Sequence, residues 1–132
     1  MFAVEIVMYL MLFIVPAILF IVGTIMKKKT PKKINGLVGY RTARSMASQE
    51  AWDYANARMA ELSGRSTLYS LVIGVIGLIA LIIADIPTDG VLYAVIVSVI
   101  MLLQAMCVVI PTLTVEKELK NEVYKNRIGD GK

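Results

Sequence analysis

Histidine is absent from this chain, and cysteine occurs once, at position 107. The first absence removes the commonest metal ligand and the side chain that ordinarily titrates near neutral pH. The second rules out an intramolecular disulfide and a cysteine-based metal centre. Cys107 falls inside an apolar run, so it reads as a small packing residue rather than a reactive thiol. No carboxylate falls within an apolar run either. The nearest approach to an acid and base set is Glu50 and Asp53, which lie where a helix is expected to begin and so suit its positive end. Neither Gly36 nor Gly39 belongs to a phosphate-binding loop. Catalysis needs such groups gathered in one place. The sequence therefore predicts no enzyme, no metal and no cofactor, with an enzyme acting on lipid as the remotest alternative.

What the chain does have is apolar length. Apolar residues make up 58% of its 132 positions, more than a soluble domain of this size buries, so lipid is the expected solvent. Residues 6–26 are 21 consecutive positions without a charge, and further runs cover 68–84 and 91–113. At about 1.5 Å of rise per residue against a hydrocarbon core of about 30 Å, the first and third are long enough to span. The second spans if Ser66, Thr67 and Asp85 sit at the two interfaces. A cleaved signal peptide carries its positive charge ahead of a shorter apolar core. Here the first basic residue, Lys27, follows the run, so the run is expected to remain as a span.

Charge orients these spans. All 14 Lys and Arg lie within 27–65 or 117–132. Nine of them fill the first loop against three acids, Glu50, Asp53 and Glu61, whereas the segments expected on the other side hold only Glu5, Asp85 and Asp89. The expected arrangement places the N-terminus outside and the C-terminus in the cytoplasm. The fold class is an all-α membrane protein, one domain over 1–132, with three transmembrane helices at about 4–26, 67–85 and 91–113. A cytoplasmic loop at 27–66 carries an amphipathic interfacial helix, and a tail covers 114–132. Val115, Leu119, Val123 and Tyr124 give the tail a weak apolar stripe, so the last helix is expected to continue toward Gly129. The loop also brings Tyr40, Trp52 and Tyr54 near arginines, but charge beside a span follows from topology, and no nucleic-acid partner is expected.

Helices in lipid associate by close backbone approach and interhelical polar contacts. Ser66, Ser70, Gly74, Gly77 and Ala84 share one face of the second span, and Ala94, Ser98, Ala105 and Thr112 form a similar stripe on the third. The two are expected to pack as an antiparallel hairpin through Ser70, Gly74, Gly77 and Ser98, with Gln104, the only amide deep in a span, as an interhelical hydrogen-bond partner. The same small-residue faces leave room for a homo-oligomer. Pro16 and Pro111 are candidate kinks.

Within the loop, Lys27, Lys28, Lys29, Lys32 and Lys33 read as a topology anchor in contact with membrane lipid headgroups. Asn35, Gly36 and Gly39 predict turns and a close backbone approach. Ser48 is the expected N-cap of a helix starting at Gln49, with Gly64 after its last turn. Trp52, Ala55, Met59 and Leu62 share its apolar face, with Trp52 expected at headgroup level.

The stretch Asn35-Gly-Leu-Val-Gly39-Tyr40-Arg41-Thr42-Ala-Arg44-Ser45, then Ser48, then Trp52-Asp-Tyr-Ala55-Asn56, resembles the signature of the SdpI-type family of small bacterial membrane proteins. The spacing reads N-x-x-x-G-x-R-T, a Ser/Thr-containing link, then W-x-x-A-N, and the three-span pattern extends the likeness over most of the chain. The resemblance implies a protein of the bacterial cytoplasmic membrane that gives immunity to a membrane-active peptide toxin by binding it. It also implies a signalling role through a cytoplasmic regulator, which the best-known members hold at the membrane. Larger members carry additional spans, so this chain looks like the minimal module. A lipid-headgroup-binding module of envelope homeostasis is the alternative.

The candidate ligand-binding set is Asn35, Gly39, Arg41, Thr42, Arg44, Trp52 and Asn56. Arg41 and Arg44 supply cations and bidentate donors, and the others supply neutral polar groups and close backbone approach. The competing reading is that these residues tie the loop onto the bundle.

Overall fold

The computed structural model describes residues 2–125, and its helices are α1 (Phe2–Met11), α2 (Ile14–Lys29), α3 (Gln49–Ile83) and α4 (Val91–Lys120). No strand occurs among the described residues. α3 is the central element, with α2 and α4 packed along it and touching each other at few positions. α3 and α4 are each long and apolar enough to cross a membrane, and α1 with α2 passes the same test as a pair bent by 45°. The chain is thus a helical multi-pass membrane protein.

The first expected span is therefore broken rather than continuous. Pro16 has no N–H for the carbonyl of Leu12 four residues back, and its ring crowds that carbonyl, so the helix ends at Met11 and restarts at Ile14. The freed Leu12 carbonyl accepts a hydrogen bond from Gln104 Nε2 at 2.8 Å, and the same nitrogen lies 3.1 Å from the carbonyl of Ser70. One amide on α4 thereby joins the break to α3. Gly74 makes room for it, since a Cβ there would sit 3.1 Å from both Gln104 Nε2 and the Leu12 oxygen.

The expected interfacial helix and second span form one helix of 35 residues. At about 1.5 Å per residue it is about 52 Å long, well beyond the hydrocarbon thickness, so its first half extends past the apolar bundle. Gly64 does not end it. A mid-helix glycine costs about 1 kcal/mol, and the chain either side of Gly64 is held by packing: Ala60, Ser63 and Ser66 are buried, and Gly23 of α2 lies against Ser63. α4 likewise runs on past the apolar stretch to Lys120. A stop near Gly129 lies outside the described residues.

Ser66, Ser70, Gly74 and Gly77 are buried along α3, whereas Ala84 caps the helix and is exposed. On α4 the expected small-residue face is turned outward: Ala94, Ser98 and Ala105 are exposed, and the Ser98 hydroxyl donates to Ala94 O of its own helix. The inward face is Tyr93, Ile100, Gln104, Pro111, Val115 and Leu119. Large residues are accommodated because α3 supplies the glycines, so small residues are needed on only one side of the contact.

Candidate functional site

Where Lys27, Lys28 and Lys29 end α2, the first half of α3, the last turns of α4 and the loop ahead of α3 form a second core. Tyr40, Ala51, Ala55, Val115 and Leu119 are buried there, with Met26, Met59 and Leu62 packed around them. This basic end contains the whole candidate ligand set.

The loop has no regular structure, so its backbone groups need partners from elsewhere. Asn35 Oδ1 accepts from Leu37 N and Val38 N, both at 2.9 Å, closing the turn that Asn-Gly predicts. The Arg41 guanidinium donates to the carbonyl of Gly36. Gly39 has φ +116°, and a Cβ there would stand 2.9 Å from both Asn56 Oδ1 and Trp52 Cη2, so only glycine fits. Ser48 caps α3 by accepting from Ala51 N at 3.1 Å. One turn apart on α3, Trp52 and Asn56 then staple the loop down. The indole N–H donates to Pro31 O at 2.9 Å, Asn56 Oδ1 accepts from Tyr40 N at 2.7 Å, and Asn56 Nδ2 donates to Trp52 O at 2.9 Å.

Trp52 is fully buried inside the protein, and Asn56 is buried with it. Trp52 and Asn56 thus spend their hydrogen-bonding atoms on main-chain groups of the loop and of α3, Thr42 bonds Ser45 N and Glu116, and Arg41 lies exposed on the surface.

A second set of contacts fastens the loop to the extension of α4. The Tyr40 hydroxyl donates to Glu116 at 2.9 Å, and Arg44 pairs with the same carboxylate at 3.0 Å. Burial pushes the Glu116 carboxyl up, but hydrogen bonds from Thr42, Tyr40 and Arg44 outweigh it and hold the group below the usual carboxylate value. Burial, then the hydrogen bond to Glu116, raises the Tyr40 phenol well above its ordinary value. Arg58 bridges Glu118 at 3.0 Å and Glu61 at 2.8 Å, and the Tyr54 hydroxyl donates to Glu118 at 2.8 Å. Sequence reasoning took Glu116 only as an i,i+4 partner of Lys120 and missed Glu118. Their only signal was two acids two residues apart just beyond an apolar run. It missed Ser45 as well, which is fully buried and closes the turn with hydrogen bonds to Tyr40 O and Thr42.

A concavity lies along the seam between α2 and α3. It is a cleft of about 810 Å³. Lys27, Lys32 and Arg65 stand around it with Asp53 and Glu61, while Met26, Ala60 and Leu68 make its apolar surface. Arg65 and Glu61 pair at 2.8 Å across one helical turn. Of the candidate ligand set only Asn56 reaches this cleft, and both ends of its amide are already engaged. Among the described residues no group of three or more His, Cys, Asp or Glu is arranged to hold a metal ion.

A bent helix pair, two long helices and a loop stapled by a Trp–Asn pair define a small helical membrane protein with a ligand-sized cleft at its basic end. The profile of the SdpI/YfhL protein family matches residues 32–115, which takes in the loop, α3 and most of α4, and the chain belongs to that family. It is similar to "Uncharacterized protein YfhL" of Bacillus subtilis (strain 168), at 42% identity over 62 residues, 47% of this chain and 54% of the relative. The chain thus matches about half the length of that curated relative. No solved structure matches significantly.

Proposed function

We propose that this family member is a non-enzymatic binding protein of the bacterial cytoplasmic membrane, which protects the cell against a membrane-active peptide by holding it in the cleft between α2 and α3. In this reading the bent pair, α3 and α4 make three spans, with the N-terminus outside and the basic end in the cytoplasm, as the lysines favour. The observation that carries the reading is the character of the cleft: an apolar surface bounded by charges of both signs, at the lysine-bearing end of α2. An amphipathic peptide arriving through the bilayer meets both halves of its own surface there.

Gly64 supplies the test. It lines the cleft, and a Cβ at that position meets nothing within 4 Å, so Gly64→Phe directs a ring into the cleft from a position with room for its Cβ. Cells sensitive to a sporulation-delaying-type peptide toxin would express the parent, Gly64→Phe or Arg41→Ala at matched membrane abundance. The expected result is survival with the parent and with Arg41→Ala, and loss of protection with Gly64→Phe. Protection that survives Gly64→Phe removes the cleft from the mechanism, and no protection by the inserted parent removes immunity to that toxin class.

A further inference from the structure

A second concavity lies on the other flank of α2, under the loop, and it differs in kind. It is a slot of about 250 Å³ lined by Val22, Ile25 and Met26 of α2 and by Leu37, Val38 and Gly39 of the loop, with Thr30 at its end. It holds no charged side chain, and the Thr30 hydroxyl is already turned onto Met26 O. Val22 and Ile25 are among the exposed apolar residues of α2, so the slot continues directly into the surface that faces lipid. Its outer lip is an anomaly for a polar loop: Leu37 is 87% exposed and Val38 44%.

This lip is built rather than floppy. The Asn35 side chain fixes the amides of Leu37 and Val38, Arg41 holds the carbonyl of Gly36, and Gly39 is seated against Trp52 and Asn56. Basic residues border the slot along the chain on both of its walls. Lys29 follows Ile25 by four residues on the same face of α2 and is exposed, and the carbonyl of exposed Lys33 accepts from the Asn35 amide at the base of the lip. An apolar slot continuous with the lipid-facing surface and bordered by exposed lysines complements one kind of molecule.

We infer that this slot seats a single anionic phospholipid of the leaflet at the basic end. The upper part of one acyl chain lies between Ile25 and the Leu37–Val38 lip, and the phosphate lies against Lys29 and Lys33. Leu37 covers the chain from the headgroup side, which accounts for an exposed leucine at the tip of a fixed turn. The inference is independent of the peptide reading, since it concerns another concavity and its test contains no peptide.

The test places an environment-sensitive fluorophore at Leu37→Cys in a Cys107→Ser background, in the full chain reconstituted into phosphatidylcholine vesicles. These contain equal mole fractions of phosphatidylglycerol or phosphatidylcholine bearing a nitroxide near the top of the acyl chain. Quenching by the labelled phosphatidylglycerol is expected to exceed that by labelled phosphatidylcholine by at least about fivefold, the preference that each lysine at an anionic surface gives. Lys29→Gln/Lys33→Gln is expected to abolish the difference while leaving the fluorophore shielded from aqueous iodide. Equal quenching by the two lipids in the parent overturns the anionic site, and an unchanged preference in the double variant overturns the assigned headgroup seat. A fluorophore that iodide reaches freely, or one shielded from iodide and lipid alike, overturns the slot as a lipid site in favour of water or of a protein contact.

Discussion

The two cores of this protein solve the same problem by opposite means. At the basic end, an irregular loop of about twenty residues lies against α3 and α4, and side chains satisfy much of its backbone: Asn35, Arg41, Ser45, Trp52 and Asn56 each hydrogen-bond to a main-chain group. In the middle of the bundle the helices satisfy their own backbones, and contact relies on buried Ser70, Gly74 and Gly77 facing Ile100 and Gln104. The Leu12 carbonyl there is freed by Pro16, and the buried Gln104 amide serves it. Polar side chains are dense where the chain leaves helical structure and sparse where it does not, as expected when every unsatisfied backbone group is costly and lipid supplies no partner.

The largest effect that would break this contrast is expected at Trp52. Trp52→Ala opens a cavity in a fully buried site and leaves Pro31 O without its donor. Removing a buried aromatic costs about 3–5 kcal/mol, and the loss falls on the loop, because α3 and α4 keep their contacts beyond Ser63. Limited trypsin digestion in detergent or vesicles reads this directly. The variant should be cut rapidly among Lys28, Lys29, Lys32, Lys33, Arg41 and Arg44, with the bundle beyond Arg65 still resistant. Loop cleavage at the parental rate would show that the indole does not hold the loop.

A smaller effect tests the middle of the bundle. Gln104→Leu removes the donor to Leu12 O, and a hydrogen bond between helices in lipid is worth about 0.6 kcal/mol on average and up to about 1.7. Pro16→Ala restores an N–H that can bond the same carbonyl within the helix. In the Pro16→Ala background, Gln104→Leu should therefore cost clearly less than it does alone, measured by reversible unfolding in mixed micelles. Equal costs in both backgrounds would mean that the amide acts through Ser70 O or through packing and has no part in accommodating the break.

The difference between the two regions also explains which parts of the structure were legible in the sequence. Apolar length and lysine placement located the spanning segments, and Ser48 marked the start of α3, because these signals are local. The N-x-x-x-G and W-x-x-A-N spacings singled out the right residues, yet their chemistry pointed equally to a pocket and to a staple. Only the position of Pro31 O and Tyr40 N, brought in from residues 21 and 16 positions away, decides for the staple. Gly64 misled because a glycine after an amphipathic stretch is a common helix end, whereas here the packing on either side carries the helix through it. The long-range pairings of Glu116 and Glu118 were not legible, since their partners lie 60 to 76 positions away in sequence. The cleft was equally hidden, because it arises from the spacing between α2 and α3.

The smallest expected effect sharpens the comparison where the sequence pattern was most persuasive. Ala94, Ser98 and Ala105 have the spacing of a packing stripe, but the neighbour that close approach requires is not on their side of α4. Ser98 is exposed and its hydroxyl is satisfied by its own helix at 2.7 Å. If α4 meets only α3 and α2, Ser98→Leu exchanges one lipid-facing side chain for another and changes stability by no more than about 0.5 kcal/mol. The same substitution at Ser70, which is fully buried on α3, has no space to enter and should disrupt the bundle. A Ser98→Leu variant that keeps the fold but shifts a dimer to monomer in vesicle crosslinking would show instead that the outward stripe is a contact between copies. Small residues would then serve the outward face of α4 as well as the inward face of α3.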